Sequence, residues 1–199
     1  MNQFNPRTDR PLYTHAASIR YSSQDTSKTN RFLTPLSHFL EEGNESKAMS
    51  FLTDVFLDAS EDKKVLEDGL HLYHWMKEKM RKGALKERFF YQAVKRMPEV
   101  YFYAQDQHGQ TLLQQAIEEP NYRLAQALLK QSPVQSLYLS NNRHENTFDT
   151  LSKAVKQAPA FKILLNMAYK KTSESIDSKA KNIFSFKNIK KMLARMKSL

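Results

Sequence analysis

Asp106-Gln107-His108-Gly109-Gln110-Thr111-Leu112-Leu113-Gln114-Gln115-Ala116 is the stretch whose reading decides the fold. Each residue type has a local purpose. Gly109 suits a tight turn that needs positive φ, a conformation that a Cβ disfavours. Thr111 is placed to accept a hydrogen bond from the amides that open a helix. Leu113 points inward and Ala116 lets a neighbouring helix approach closely. Working outward, Tyr101 to Thr111 overlies Leu137 to Thr147 at an offset of 36 residues, with His108 on His144 and Thr111 on Thr147 as identities. In the same register Ala116 falls on Ser152, and Leu128-Leu129 falls on Leu164-Leu165. A period of this length marks stacked supersecondary units, since one unit cannot cover its own apolar face.

The first copy resembles an ankyrin repeat. Asp106 to Thr111 is similar to that family's loop, Thr111 to Ala116 to its Thr-Pro-Leu-His-x-Ala helix start, and Leu128-Leu129 to the leucine pair of its second helix. There are departures. Leu112 and Gln114 replace the family's Pro and His, Ser132-Pro133 stands where Gly-Ala is usual, and the period exceeds the usual ~33 residues. In the second copy Asp149 falls on the leucine position and Glu145 on the glycine position. Upstream, Ala93-Val94 to Pro98 echoes Leu128-Leu129 to Pro133 at an offset of 35.

The resemblance implies an all-α protein of stacked helical pairs with flanking capping helices. It also implies a protein-binding adaptor whose loop tips and first helices form the contact face. That face would hold Gln105, Gln107, His108, Gln114, Asn141, Arg143 and His144. Solvated polar residues are the plainer reading of the same set. Tyr101 and Tyr103 read as interface anchors or as packing beside the loop. An irregular helical bundle with an ankyrin-like turn is the competing architecture. Short ankyrin-like domains with poorly matched flanks also resemble effectors that intracellular bacteria deliver into host cells. An endogenous adaptor fits the composition equally.

Around this centre, residues 1–33 carry Pro6, Pro11 and many Ser, Thr, Asn and Gln without an apolar period, which predicts a flexible arm. Arg7, Arg10 and Arg20 invite comparison with a mitochondrial presequence, which the two prolines and Asp9 oppose. A helical repeat-like domain is expected over 34–172, beginning at Thr34-Pro35 with Thr34 as cap. Leu36, Phe39 and Leu40 make its first apolar side. After Gly43-Asn44, a helix from Ala48 to Ala59 carries Met49, Leu52, Val55 and Phe56 at helical spacing. The next is punctuated by Ser60, Glu61 and Asp62 before it and by Lys77, Lys79, Arg81, Lys82 and Gly83 at its end. A further helix from Ala84 to Met97 carries Phe89, Phe90, Ala93 and Val94 and stops at Pro98. Val100 to Tyr103 is a candidate strand.

The chain has no Cys, which excludes disulfides, thiolate zinc sites and cysteine nucleophiles. Its four glycines have no phosphate-loop spacing. Glu67, His71, His74 and Glu78 fall on one narrow helical stripe opposite Val65, Leu66, Leu72, Tyr73, Met76 and Met80. The stripe is therefore expected to face solvent, and i,i+4 pairing explains it better than a metal site. No catalytic, cofactor or metal residue is assigned, and the reading is not an enzyme. No apolar run is long enough for a membrane helix and no secretory signal is present, which predicts a cytoplasmic protein, in the host cell if it is exported. The ending Lys197-Ser198-Leu199 permutes the peroxisomal address.

The net charge of +10 is uneven: Lys170 to Leu199 holds nine Lys and Arg against Glu174 and Asp177. A basic amphipathic helix is expected over 173–199, with Phe186, Ile189 and Leu193 on one side and Lys187, Lys190, Lys191 and Arg195 on the other. It reads as a cap on the repeats, or as a contact for an anionic membrane, a partner's groove or nucleic acid. The body is only mildly basic, which disfavours a general nucleic-acid groove.

Overall fold

The structure, a computed structural model, describes residues 20–21, 31–58 and 63–175. This part is all-α. Its helices are α1 (Leu33–Glu41), α2 (Glu45–Asp58), α3 (Lys63–Arg81), α4 (Glu87–Arg96), α5 (Leu112–Glu118), α6 (Tyr122–Gln131), α7 (Thr147–Gln157) and α8 (161–175). Two 3-10 helices, Glu99–Phe102 and Val134–Tyr138, connect them. Strand among the described residues is one parallel pair, β1 (Arg20–Tyr21) beside β2 (Gln105–Asp106). No described helix is long and apolar enough to cross a membrane.

Short connections join the helices into hairpins, α1 with α2, α3 with α4, α5 with α6 and α7 with α8. The second helices form a layer: α2 packs on α4 and α4 on α6. Helix α8 continues it through the Tyr122 and Phe161 rings, 5.8 Å apart, and through Lys171. The Lys171 ammonium donates to the carbonyls of Leu129 and Lys130 at 2.9 Å each, satisfying acceptors that the end of α6 leaves open. On the other side α5 packs on α7, and α3 lies against both α2 and α4.

Helices α4 and α6 bury equivalent positions, Phe89, Phe90, Ala93 and Val94 in one and Leu124, Ala125, Leu128 and Leu129 in the other. These sets lie 35 residues apart, as do the prolines that open the two 3-10 helices, Pro98 and Pro133. The upstream echo at 35 is therefore structural. The 36-residue register across the loops is not: Thr111 caps α5 and Asn146, rather than Thr147, caps α7. Cap geometry, not the His and Thr identities, sets the alignment. Asp149 thus corresponds to Gln114, and Phe148 takes the place of Leu113.

Several expected boundaries move. Helix α1 starts at Leu33 with Phe32 as its cap position, so Thr34 lies inside it. Helix α2 begins at Glu45 because the Asn44 side chain accepts from the Lys47 amide at 3.1 Å. Gly83 ends α3 at φ +73°, but Ala84 and Leu85 fold back onto the Lys79 carbonyl, so α4 waits until Glu87. Val100 to Tyr103 is no strand. Pro98 sets the entry, its carbonyl accepts from the Tyr101 amide, and Tyr101, Phe102 and Tyr103 are all buried, which alternation would forbid. Tyr101 and Tyr103 are packing, not anchors. The arm expected over 1–33 lies mostly outside the described residues, as do Ser60, Glu61 and Asp62. Its described part includes β1, paired with β2, and the start of α1. Helix α8 runs past the expected boundary at 172.

Candidate functional site

Two stacked loops carry the site. In the first, the buried Asp106 accepts from the amides of His108 and Gln110 at 2.8 Å through one carboxylate oxygen, and from Gln115 Nε2 at 3.2 Å through the other. The Gly109 amide closes the turn onto the Asp106 carbonyl at 2.9 Å, and Gly109 takes φ +72°. Thr111 then caps α5 reciprocally with Gln114, the Thr111 amide donating to Gln114 Oε1 at 2.9 Å.

The second loop repeats the pattern 35 residues on. Asn141 Oδ1 accepts from the Arg143 and Glu145 amides at 2.9 and 3.0 Å, and the His144 amide donates to the Asn141 carbonyl at 2.9 Å. His144 occupies the glycine place with φ +60°, and Asn146 and Asp149 form the matching capping box. A short polar side chain that accepts two amides can specify this turn in either copy, which is why Asp and Asn are interchangeable here. The loops are bonded to each other. The Asn142 amide donates to the His108 carbonyl at 2.9 Å, Asn142 Nδ2 to the Gln107 carbonyl at 3.1 Å, and Gln105 Nε2 to the Ser140 carbonyl at 2.9 Å.

Beneath the first loop runs a polar groove of roughly 960 Å³ between the end of α3 and α5, continued by a smaller one of roughly 270 Å³ toward Asn142 and Arg143. His108 lines both. Its charges are paired: Lys77 with Glu119 and Arg143 with Glu118 across elements, the first at 2.6 Å, Arg81 and Lys82 with Glu78 along the end of α3 at 2.8 and 3.1 Å, and Arg143 with Glu145 within its own loop. The hydrogen bonds from Arg81 and Lys82 hold the Glu78 carboxyl at about 2. Lys153, Asn141 and Arg143 likewise keep Glu145 below the usual carboxylate range.

His74 also lines the groove but is 7% exposed. Burial, with Lys77 and His71 beside it, pushes its pKa down to about 3, so the imidazole is neutral at physiological pH. The expected solvent-facing stripe is corrected here. Helix α3 meets α2 on one flank and α4 on another, so a single-face pattern underestimates its burial. His74 is in the core while Glu67, His71 and Glu78 are partly covered. Among the described residues no group of three or more His, Asp or Glu is arranged to hold a metal ion.

Of the residues expected at a contact face, Gln107, His108, Arg143 and His144 are exposed on the loop tips. Gln105 is partly buried beneath them. Two are corrected. Gln114 is fully buried, and its Nε2 donates to the carbonyls of Leu139 at 3.2 Å and Glu145 at 2.9 Å. Asn141 is 5% exposed and builds the second turn. Both hold the loops together and neither is available to a partner. Sequence reasoning missed the groove wall from α3, Lys77, Arg81 and Lys82, whose closeness to α5 is a tertiary fact. Lys187, Lys190, Lys191 and Arg195 lie outside the described residues. No family model, curated protein or solved structure matches the chain.

Proposed function

We propose that the protein is an interaction module, an adaptor that binds another protein through the two loop tips and the groove beside them. The observation that carries this reading is the rigid presentation of exposed side chains. Gln107, His108, Arg143 and His144 stand on turns whose backbones are fixed by buried Asp106, Gln114 and Asn141. Side chains held this way lose little conformational freedom on binding, so more of each contact survives as affinity. The resemblance of 101–131 to an ankyrin repeat supports it, since loop tips and first helices form the binding face of that family. The same reading sets the protein in a cytoplasm, that of a host cell if it is exported as effectors are.

Affinity capture with the full chain identifies the partner, and titration of the purified partner tests the site. Gln107→Ala/His108→Ala/Arg143→Ala should keep the thermal midpoint near that of the parent and weaken binding by at least about tenfold, the scale of a central contact. A partner that binds parent and variant equally would place the interface elsewhere.

A further inference from the structure

Helices α4 and α6 leave a groove of roughly 460 Å³ between their solvent sides. The Glu87 carboxylate and the Arg123 guanidinium, 3.0 Å apart, join the first turns of the two helices. The groove then takes in Arg88 and Lys95 of α4 with Arg123 and Lys130 of α6, so the helices run side by side in the same direction. On each helix the two cations are two turns apart, about 10 Å along one line. Tyr91 lies about 60° to one side of the α4 line and Ala127 about 40° to the opposite side of the α6 line, at ~100° per residue. In parallel neighbours these opposite offsets turn both side chains toward the space between the helices, where they line the groove and are half-buried. The result is an apolar floor with a row of cations on either rim. All four cations are exposed, and Arg88, Lys95 and Lys130 have no acidic partner among the described residues.

The charge is local to this groove. The neighbouring groove between α2 and α4, of roughly 390 Å³, sets Glu45 and Asp54 against Arg96. Between α4 and α6, four cations face Glu87 alone. An apolar strip with cations along both edges is the complement of an amphipathic helix that carries acids on either side of its apolar face. Such a helix is about 10 Å across and packs about 8–10 Å from each neighbour. An extended strand sends successive side chains to opposite faces, so it reaches the floor without reaching both rims. We propose that the groove between α4 and α6 is a second interaction surface whose occupant is an acidic amphipathic helix of a partner protein. Its apolar residues rest on Tyr91 and Ala127, and its carboxylates lie beside Arg88, Lys95 and Lys130. The surface uses no loop-tip residue, so it goes beyond the adaptor reading without resting on it.

The test is titration of the full chain into a fluorescent helical peptide with leucines at i, i+3, i+4 and i+7 and glutamates on both flanks, beside a scrambled peptide of the same composition. The patterned peptide should bind, and the scrambled one at least about tenfold more weakly, because it cannot meet floor and rims together. Affinity should fall as salt rises from about 0.1 M to about 1 M, which shortens the screening length from roughly 10 to 3 Å. Arg88→Gln/Lys95→Gln/Lys130→Gln should weaken binding at least about fivefold, the combined effect of losing three exposed ion pairs. Ala127→Gln fills the floor, keeps every charge and stays a good helix former, and it should weaken binding by a similar factor. The matched control, Lys47→Gln/Lys156→Gln/Lys162→Gln, removes the same charge from exposed positions outside the groove. It should cost less than about twofold, since charges beyond the screening length contribute little. All three variants change surface side chains and should melt close to the parent. No binding of the patterned peptide, equal binding of the scrambled one, equal losses in the groove and control triples, or parental affinity in Ala127→Gln would each overturn the proposal. So would a single-stranded polynucleotide that binds more tightly than the peptide and is lost in the groove triple.

Discussion

Gly109 sits directly against Asn142: a Cβ at Gly109 would fall 2.7 Å from Asn142 Oδ1 and 2.9 Å from its amide nitrogen. The two loops can stack because this position carries no side chain. Positive φ adds a second penalty for any L-residue. Gly109→Val should lower stability by about 1–3 kcal/mol through strain alone, with the collision added, as read from the midpoint of urea denaturation. An unchanged midpoint would mean that the turn or the stacking differs from the one described.

Gly69 is the equivalent point for the core. A Cβ there would lie 2.8 Å from Cζ of Tyr101, whose buried hydroxyl has no hydrogen-bond partner among the described residues. Alanine is a better helix former than glycine by about 1 kcal/mol, so an uncrowded site would gain from the change. Gly69→Ala is expected instead to destabilise by about 1–3 kcal/mol, the usual scale of overpacking. Tyr101→Phe removes an unsatisfied polar group and should be neutral or stabilising by up to about 1 kcal/mol. A double-mutant cycle reads the coupling. Additive effects would show that the two residues do not meet.

His74 gives the fold a pH dependence whose sign follows from its depressed pKa. The unfolded chain takes up a proton near pH 6.5, whereas the folded chain does so only near 3. The unfolded state therefore binds more protons across that window, and stability falls as pH drops through it. The slope is at most about 1.4 kcal/mol per pH unit. Between pH 6.5 and 5, above the range where most carboxylates titrate, the parent should lose up to roughly 2 kcal/mol. His74→Gln should lose clearly less over the same interval. Equal slopes in urea titrations would show that His74 is protonated normally in the fold.

Lys171 ties α8 to α6 through two backbone carbonyls rather than through an acid. Lys171→Ala should cost about 1–2 kcal/mol, the range for a cation at a partly buried helix C-terminus. Lys170→Ala next to it removes a side chain that is 76% exposed and should be near neutral. If the two variants melt alike, the contact contributes nothing to docking α8.

Much of the helical layout was legible in the chain because it rests on local rules. The apolar spacing in 45–58 and 87–96 reports a helix that buries one main face, and the residues it marked, from Met49 to Val94, are buried. Gly109 and Thr111 announced their turn and cap because positive φ and an open amide have few residue solutions. The rest depended on what lies across space. His74 is in the core because α3 has neighbours on more than one flank, and a periodicity read for a single face cannot register the others. Gln114 and Asn141 look like surface residues by composition, yet the carbonyls and amides they satisfy come from other turns. The register of the repeat was decided by which side chains accept the loop amides, Asp106 and Asn141, while the His and Thr identities one residue out of step carried no structural weight.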